Sequence, residues 1–251
     1  MALRHELIRQ GNFLFRNRSY LPLTILITGL ILYVMKEMKN PPIDDMSVRI
    51  FELACFVVCL TGFLVRAITI GYTADRTSGR NTHAGQIAES INTTGMYSLC
   101  RHPLYLGNFI IWLGVAALTQ NGWFMLAFML VFWLYYERIM FAEEEFLIEK
   151  FGNDYLKYSG STPAFIPNFK KYRRPLLRFS LRKVIRQEKS GILNLFAVFL
   201  LFRGLGEYIT HSLQHVEIYW IVGFGSALLY YITVKILEKK TNLLKTDRHG
   251  Q

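Results

Sequence analysis

Charge is scarce in this sequence, and acidic charge is scarcest. Asp, Glu, Lys and Arg make up 19% of 251 residues, with 18 Asp and Glu against 29 Lys and Arg, while apolar residues fill 52% and aromatics 15%. That balance excludes an ordinary soluble domain, which needs more polar side chains to cover its water-facing shell. Cysteine is rare too, at three. Cys55 and Cys59 lie one helical turn apart in an apolar run and Cys100 stands alone. No metal-ligand spacing results, so no metal is assigned and the pair reads as small apolar packing. The sequence also lacks internal repeats and low-complexity segments. No small-residue cleavage site follows the first apolar run, which begins at Tyr20, so an uncleaved first helix is expected. Inverted halves and Gly- or Pro-broken helix pairs are missing as well, which argues against a transporter whose polar path would use Arg66, Arg203 and Glu207.

What is present is apolar length. Six stretches, at about 20–35, 50–72, 104–119, 122–141, 191–209 and 216–236, approach the 17–25 residues of helix that cross a hydrocarbon core of about 30 Å. The sequence therefore predicts an all-α polytopic membrane protein of six transmembrane helices. Alternating those spans puts Arg4, Arg9, Arg16, Arg18, Arg76, Arg80, Arg101, the run Lys150 to Lys189 and the tail Lys235 to Arg248 on one side. Lys36, Lys39 and Arg49 fall on the other. By the positive-inside rule both termini and the long loops 73–103 and 142–190 are expected in the cytoplasm, which points to an inner, cytoplasmic membrane. The net charge of +11 is then a topology signal. A nucleic-acid partner is not expected, because a bilayer-bound chain offers no soluble basic face with interleaved aromatics.

The loop 73–103 is long and rich in Gly, Ser, Thr, Asn and His, a composition more often functional than idle. By contrast "TQNG" at 119–122 is a minimal hairpin that sets the third and fourth spans antiparallel. The third span starts just after Arg101 and His102, and the fourth ends at "YYERIMFAEEEFLIEKFGNDYLKY". Arg101, His102 and Tyr105 should then meet Glu143 and Glu144 at the membrane surface. Taken singly, each feature has a plainer reading, as an interfacial anchor or a solvated helix face.

Together, "GMYSLCRHPLYLG" and "AEEEFLIEKFGNDYLKYSGSTPAFIP" resemble the signature of the isoprenylcysteine carboxyl methyltransferase and phospholipid methyltransferase superfamily. An RHPxYxG block, a helical hairpin, EExxLxxxFGxxYxxY and a Pro-rich close follow in order over roughly residues 60–170. The resemblance implies methyl transfer from S-adenosylmethionine, held at the cytoplasmic end of the hairpin. It implies a cofactor site of Gly95, Tyr97, His102, Tyr105, Gly107, Glu144 and Tyr155. The residue types suit that donor: Glu144 can accept from a ribose diol or an ammonium, and His102 can bond adenine or carboxylate. Gly95 and Gly107 would let backbone approach closely. Pro103 fits the first helical turn. Arg101 is expected to grip an anionic acceptor in a planar two-pronged contact, and Glu143 would serve as base if the acceptor were an amine.

The superfamily methylates isoprenylcysteine carboxylates, ethanolamine lipids and lipid phosphates. Isoprenylcysteine enzymes tend to carry a basic residue before the closing Pro block, where this chain has Ser159-Gly160-Ser161-Thr162. The loop "GYTADRTSGRNT" looks like the bacterial branch that includes lipid A phosphate methyltransferases, so a lipid phosphate is the expected acceptor. Arg76, Arg80, His83 and Arg101 would bind it, with Thr77, Ser78, Asn81 and Thr82 as neutral donors. Ethanolamine phospholipid and isoprenylcysteine are the alternatives, and a nicotinamide-dependent reductase or non-catalytic relative is a third.

Residues 171–190 carry an apolar stripe of Leu177, Leu181, Val184 and Ile185 beside Arg178, Arg182, Lys183 and Arg186, which predicts an interfacial amphipathic helix. Arg203 and Glu207, four apart in the fifth span, are expected to pair inside the membrane. The expected regions are an N-terminal transmembrane part at 1–59, the methyltransferase core at 60–170, and the basic helix with two further spans at 171–251.

Overall fold

The described residues, which are 2–18, 20–40, 45–75, 77, 88–209, 218–244 and 246 of a computed structural model, form nine α-helices, a 3-10 turn at Phe169–Lys171 and no strand. Six apolar helices coincide with the six expected spans: α2 (Tyr20–Lys39), α3 (Asp45–Gly71), α5 (Pro103–Ala117), α6 (Gly122–Phe151), α8 (Leu181–Ile209) and α9 (Ile218–Lys240). Among them α3, α6, α8 and α9 are long and apolar enough to cross a membrane. The 15 residues of α5 reach only about 22 Å. Its partner α6 has 30 residues and extends about 45 Å, well past the start of α5.

The hairpin forms where its sequence requires. Pro103 opens α5 at a position where the missing N–H is harmless. Asn121 caps α6 by accepting from Phe124 N at 3.0 Å. Gly152, at φ +54°, ends α6 and lets the chain restart as α7 (Asn153–Ser161). Glycines set the spacing of α3 and α5: a Cβ on Gly62 would lie 2.6 Å from Gly107 O, and one on Gly114 would lie 2.5 Å from Cys59 Sγ. Cys59 is fully buried and donates to Ile111 O at 3.2 Å, so its thiol packs in that seam.

Two apolar clusters hold the bundle. One joins Phe15 to Tyr105, Phe128, Phe132, Tyr136 and Ile139, so it binds α1 (Leu3–Arg16) to the hairpin. The other joins Tyr33, Cys55, Cys59, Leu195, Phe199, Phe202 and Trp220, and unites α2, α3, α8 and α9. The sequence reading treated the first 19 residues as a basic flank and did not foresee α1. It packs along the outer half of α6, where Gly11 sits against the Arg138 carbonyl, Tyr135 donates to Leu14 O at 3.0 Å, and Arg4 pairs with Glu145 at 2.5 Å.

The interfacial helix expected over 171–190 is corrected. Residues 172–180 are irregular and α8 starts at Leu181, continuing unbroken through Ile209. Pro175 disfavours helical backbone in the residue before it. The first turn of α8 buries one of its cations in protein: Lys183, 1% exposed, donates to Thr73 O at 2.9 Å and Ala74 O at 2.8 Å beyond the end of α3. The boundary expected at residue 59 falls inside α3, so the three regions divide motifs and not structural units. At the other end of α8, Arg203 pairs with Glu207 at 2.6 Å as expected and approaches Glu52 at 3.8 Å, while Trp220 Nε1 donates to Glu52 at 3.4 Å.

Candidate active site

Residues 95–102 are held in place by a later strap of chain. Arg101 N donates to Pro163 O at 2.9 Å, His102 N to Ala164 O at 3.0 Å, Asn168 N to Leu99 O at 2.9 Å and Gly95 N to Arg173 O at 2.9 Å. Tyr158 adds a side-chain bond from its hydroxyl to Tyr97 O at 2.7 Å. The closing block that contains Pro163 and Pro167 is thus a backbone partner for the turn before α5. The four-residue helix α4 (Met96–Leu99) sits inside this strap, preceded by Gly95 at φ +62°. That conformation, and Pro175 3.3 Å from where its Cβ would be, explain the glycine.

The overshoot of α6 brings Glu143 and Glu144 to the start of α5. Arg101 makes a fork-to-fork contact with Glu144, Nε to Oε1 at 2.8 Å and Nη2 to Oε2 at 2.9 Å, and its Nη1 donates to Ser159 O at 2.9 Å and Thr162 O at 2.6 Å. His102 Nε2 lies 2.8 Å from the same Glu144 Oε1, and its Nδ1 lies 3.6 Å from Glu143 Oε2. Tyr105 donates to Glu143 Oε2 at 3.0 Å and stacks on the His102 ring at a centroid distance of 5.6 Å. Burial works against a charge on His102, yet hydrogen bonds to Glu143 and Glu144 hold its pKa above the ordinary imidazole value. Burial pushes the Cys100 thiol up to about 12, against a smaller lowering from a backbone hydrogen bond with His102, which disfavours the thiolate.

Beside this network is a cavity of ≈ 340 Å3. That volume is within the range of small-molecule sites, about 300–1,000 Å3. Aromatic and aliphatic walls come from Tyr97, Leu104, Tyr136, Phe146, Leu147, Tyr155 and Tyr158, and the polar rim from Arg18, Arg66, Arg101, His102, Asn108, Glu143 and Gln187. The Tyr155 side chain is 1% exposed, and its hydroxyl has no hydrogen-bond partner among the described residues. Burial keeps that hydroxyl protonated by raising its pKa. A buried donor without a partner is costly unless a ligand supplies one.

Of the residues expected here, Tyr97, Arg101, His102, Tyr105, Glu143 and Tyr155 line the cavity. Glu144 does not. Its carboxylate is engaged by Arg101 and His102 and does not line the cavity. Gly107 serves helix packing, since its Cβ would lie 2.5 Å from Arg66 Cγ. Gly95 serves the strap. Arg101 has four bonds inside the protein, to Glu144 and to the Ser159 and Thr162 carbonyls, and also borders the cavity. Arg76, Arg80 and His83 lie outside the described residues. Sequence reasoning missed Arg18, Asn108, Tyr136 and Gln187 as cavity residues, and gave Arg66 a role only in the polar path of the transporter it argued against; an arginine just inside the basic end of an apolar helix was the available signal for it.

The site can be placed among known proteins. Residues 51–154 match the profile of the phospholipid methyltransferase family. The cobalt-zinc-cadmium resistance protein CzcN of Cupriavidus metallidurans is 37% identical over 90 residues, which are 36% of this chain and 41% of that protein. The protein-S-isoprenylcysteine O-methyltransferase of Schizosaccharomyces pombe is 39% identical over 75 residues, 30% of this chain and 32% of its own length. Isoprenylcysteine O-methyltransferase B of Arabidopsis thaliana is 36% identical over 101 residues, 38% of this chain and 51% of its own. The chain therefore spans a third to a half of the length of these relatives, and no solved structure matches it. Residues 51–154 contain the turn before α5, the hairpin, Glu143 and Glu144, so over that part the chain is similar to the phospholipid methyltransferase family, and it shares sequence with isoprenylcysteine O-methyltransferases.

Proposed function

We propose that this protein is an integral membrane methyltransferase that uses S-adenosylmethionine to methylate an anionic oxygen on a membrane-held acceptor. The observation that carries this reading is the cavity at the basic end of the hairpin, with its aromatic wall, its carboxylate–imidazole–phenol cluster and the partnerless Tyr155 hydroxyl. These residues fit the donor. Tyr97, Tyr155, Tyr158 and Phe146 offer faces to adenine and to a sulfonium, Glu143 and Tyr155 offer polar contacts, and Arg18 suits an amino-acid carboxylate. When bound, S-adenosylmethionine supplies an electrophilic methyl group.

With an oxyanion as acceptor no proton has to be moved. The residues then have two tasks, to aim the acceptor oxygen along the line of transfer and to keep water out. Arg101, Glu144 and the 162–173 strap fix the cavity wall, while Arg66 faces an acceptor with positive charge. A lipid phosphate of the lipid A type and an isoprenylcysteine carboxylate share this chemistry. The first follows from the loop containing Arg76, Arg80 and His83, the second from the names of the relatives. An ethanolamine amine would instead need Glu143 as base, and its bond from Tyr105 leaves that carboxylate at the cavity edge. The basic end of the bundle is assigned to the cytoplasmic face of the inner membrane, where the donor is made.

The test is transfer of a labelled methyl group from S-adenosylmethionine into extracted membranes, with mass spectrometry of the labelled species. Label on a phosphate-bearing glycolipid supports the lipid A reading, and label on a prenylated cysteine the carboxylate reading. Label on an ethanolamine lipid moves the chemistry to nitrogen. Absence of any label overturns the activity.

A further inference from the structure

The helix α8 lies outside residues 51–154, the part of the chain shared with the family, yet it reaches the cavity. Gln187 forms part of the wall. Its neighbour Glu188 is buried, with a side chain 4% exposed, and grips Arg66 of α3: Oε2 accepts from Nε at 3.1 Å and Oε1 from Nη2 at 2.6 Å. On the remaining nitrogen, Arg66 Nη1 donates to Asn108 Oδ1 of α5 at 2.5 Å. The approach of the two helices is built for this contact. One turn beyond Glu188, Gly191 lies where a Cβ would come 2.8 Å from the Phe63 ring, and Phe63 is one turn before Arg66.

A guanidinium held by three bonds from two other helices cannot swing. Its plane is fixed by the carboxylate fork, and its other N–H groups keep one direction while the side chain lines the cavity. A carboxylate partner also allows a cation to sit beside aromatic walls in the empty site without an unpaired charge. An ion pair that served packing alone would have no need to border the cavity.

We propose that Glu188 is a positioning residue for Arg66, and that α8 thereby sets how the cavity receives an acceptor oxyanion. The proposal deepens the methyltransferase reading and rests on it for the kinetic readout, whereas acceptor binding tests it separately. The full chain is purified in detergent as wild type, as Glu188→Gln, and as the swap Arg66→Glu with Glu188→Arg. Two probes are used, a short-chain phosphatidic acid for a phosphate monoester and N-acetyl-S-farnesylcysteine for a carboxylate. Binding of each is read from the shift of the unfolding midpoint, beside labelled S-adenosylmethionine binding and the KM of any probe that is methylated.

The expected result is an about tenfold weaker probe binding and higher acceptor KM in Glu188→Gln, because a carboxamide accepts only one of the two bonds, with donor affinity at the wild-type value. The swap should recover the wild-type unfolding midpoint and still bind the probe poorly, because its cation has moved from α3 to α8. Wild-type probe affinity in Glu188→Gln overturns the proposal, as does a swap that regains probe binding together with stability. If Glu188→Gln does not fold, the swap alone decides. A wild type that binds a probe but methylates neither refutes the methyltransferase reading and leaves the binding comparison in force. A wild type that binds neither refutes the proposal itself.

Discussion

At the residue scale, the site is organised by who holds whom. Arg101 ties α6 to the strap through Glu144 and the Ser159 and Thr162 carbonyls, four bonds that a lysine ammonium cannot span. Arg101→Lys is expected to lower stability by about 1–3 kcal/mol and to weaken S-adenosylmethionine binding, measured by thermal unfolding in detergent and by labelled-donor binding. Because Glu144→Gln breaks the same contacts, the double variant should lose less than the two singles combined. His102 gives a pH signature. Its folded pKa lies above the ordinary value, so its protonation stabilises the fold fully below about pH 6.5 and this contribution is lost as pH rises through the raised folded value. The unfolding midpoint of wild type should fall as pH rises above neutral, and that slope should flatten in His102→Gln. An unchanged slope in the variant would assign the dependence to another group.

At the element scale, the seam between α3 and α5 depends on glycine. Gly62→Ala would press a methyl into the backbone of α5, 2.6 Å from Gly107 O and 2.8 Å from Ile111 N, so a loss of about 1–3 kcal/mol is expected in unfolding experiments. Gly204, on α8, has nothing within 4 Å of its Cβ position. Gly204→Ala should be neutral or stabilising by up to about 1 kcal/mol, through helix propensity alone. The hairpin was legible in the sequence because "TQNG" is too short for anything else, and with it came the meeting of Arg101, His102 and Tyr105 with Glu143 and Glu144. Of Arg101's partners, Glu144 was within that meeting but the other two were not legible. They are main-chain carbonyls in a segment that reads as an ordinary Ser- and Gly-rich turn, and carbonyls carry no sequence signature. The start of α8 misled for a related reason. A basic stripe beside an apolar one looks the same whether its cations meet lipid head groups or, as Lys183 and Arg186 do, Asp75 and buried carbonyls.

At the scale of the whole molecule, polar contacts lie at both ends of α8. Glu188 near its start and Arg203 about four turns later belong to separate networks, the first bordering the cavity and the second joining α8 to α3. Arg203→Met would leave Glu207 and Glu52 buried with their cation gone, and a loss of about 3–5 kcal/mol is expected. Replacing Arg203 and Glu207 together by Met should recover much of it. Donor binding per folded molecule should stay at the wild-type level in both, because this network is remote from the cavity.

The short α5 has a consequence for where the acceptor is met. About 22 Å of helix, opening at Pro103, runs beside the roughly 45 Å of α6, which leaves a dip of several Å against a hydrocarbon core of about 30 Å. Lipid around such a dip must tilt or shorten to match it. On the methyltransferase reading proposed above, a head group drifting sideways in that dimple would approach the cavity without leaving the bilayer, and the thickness of the surrounding membrane would then govern access to the site.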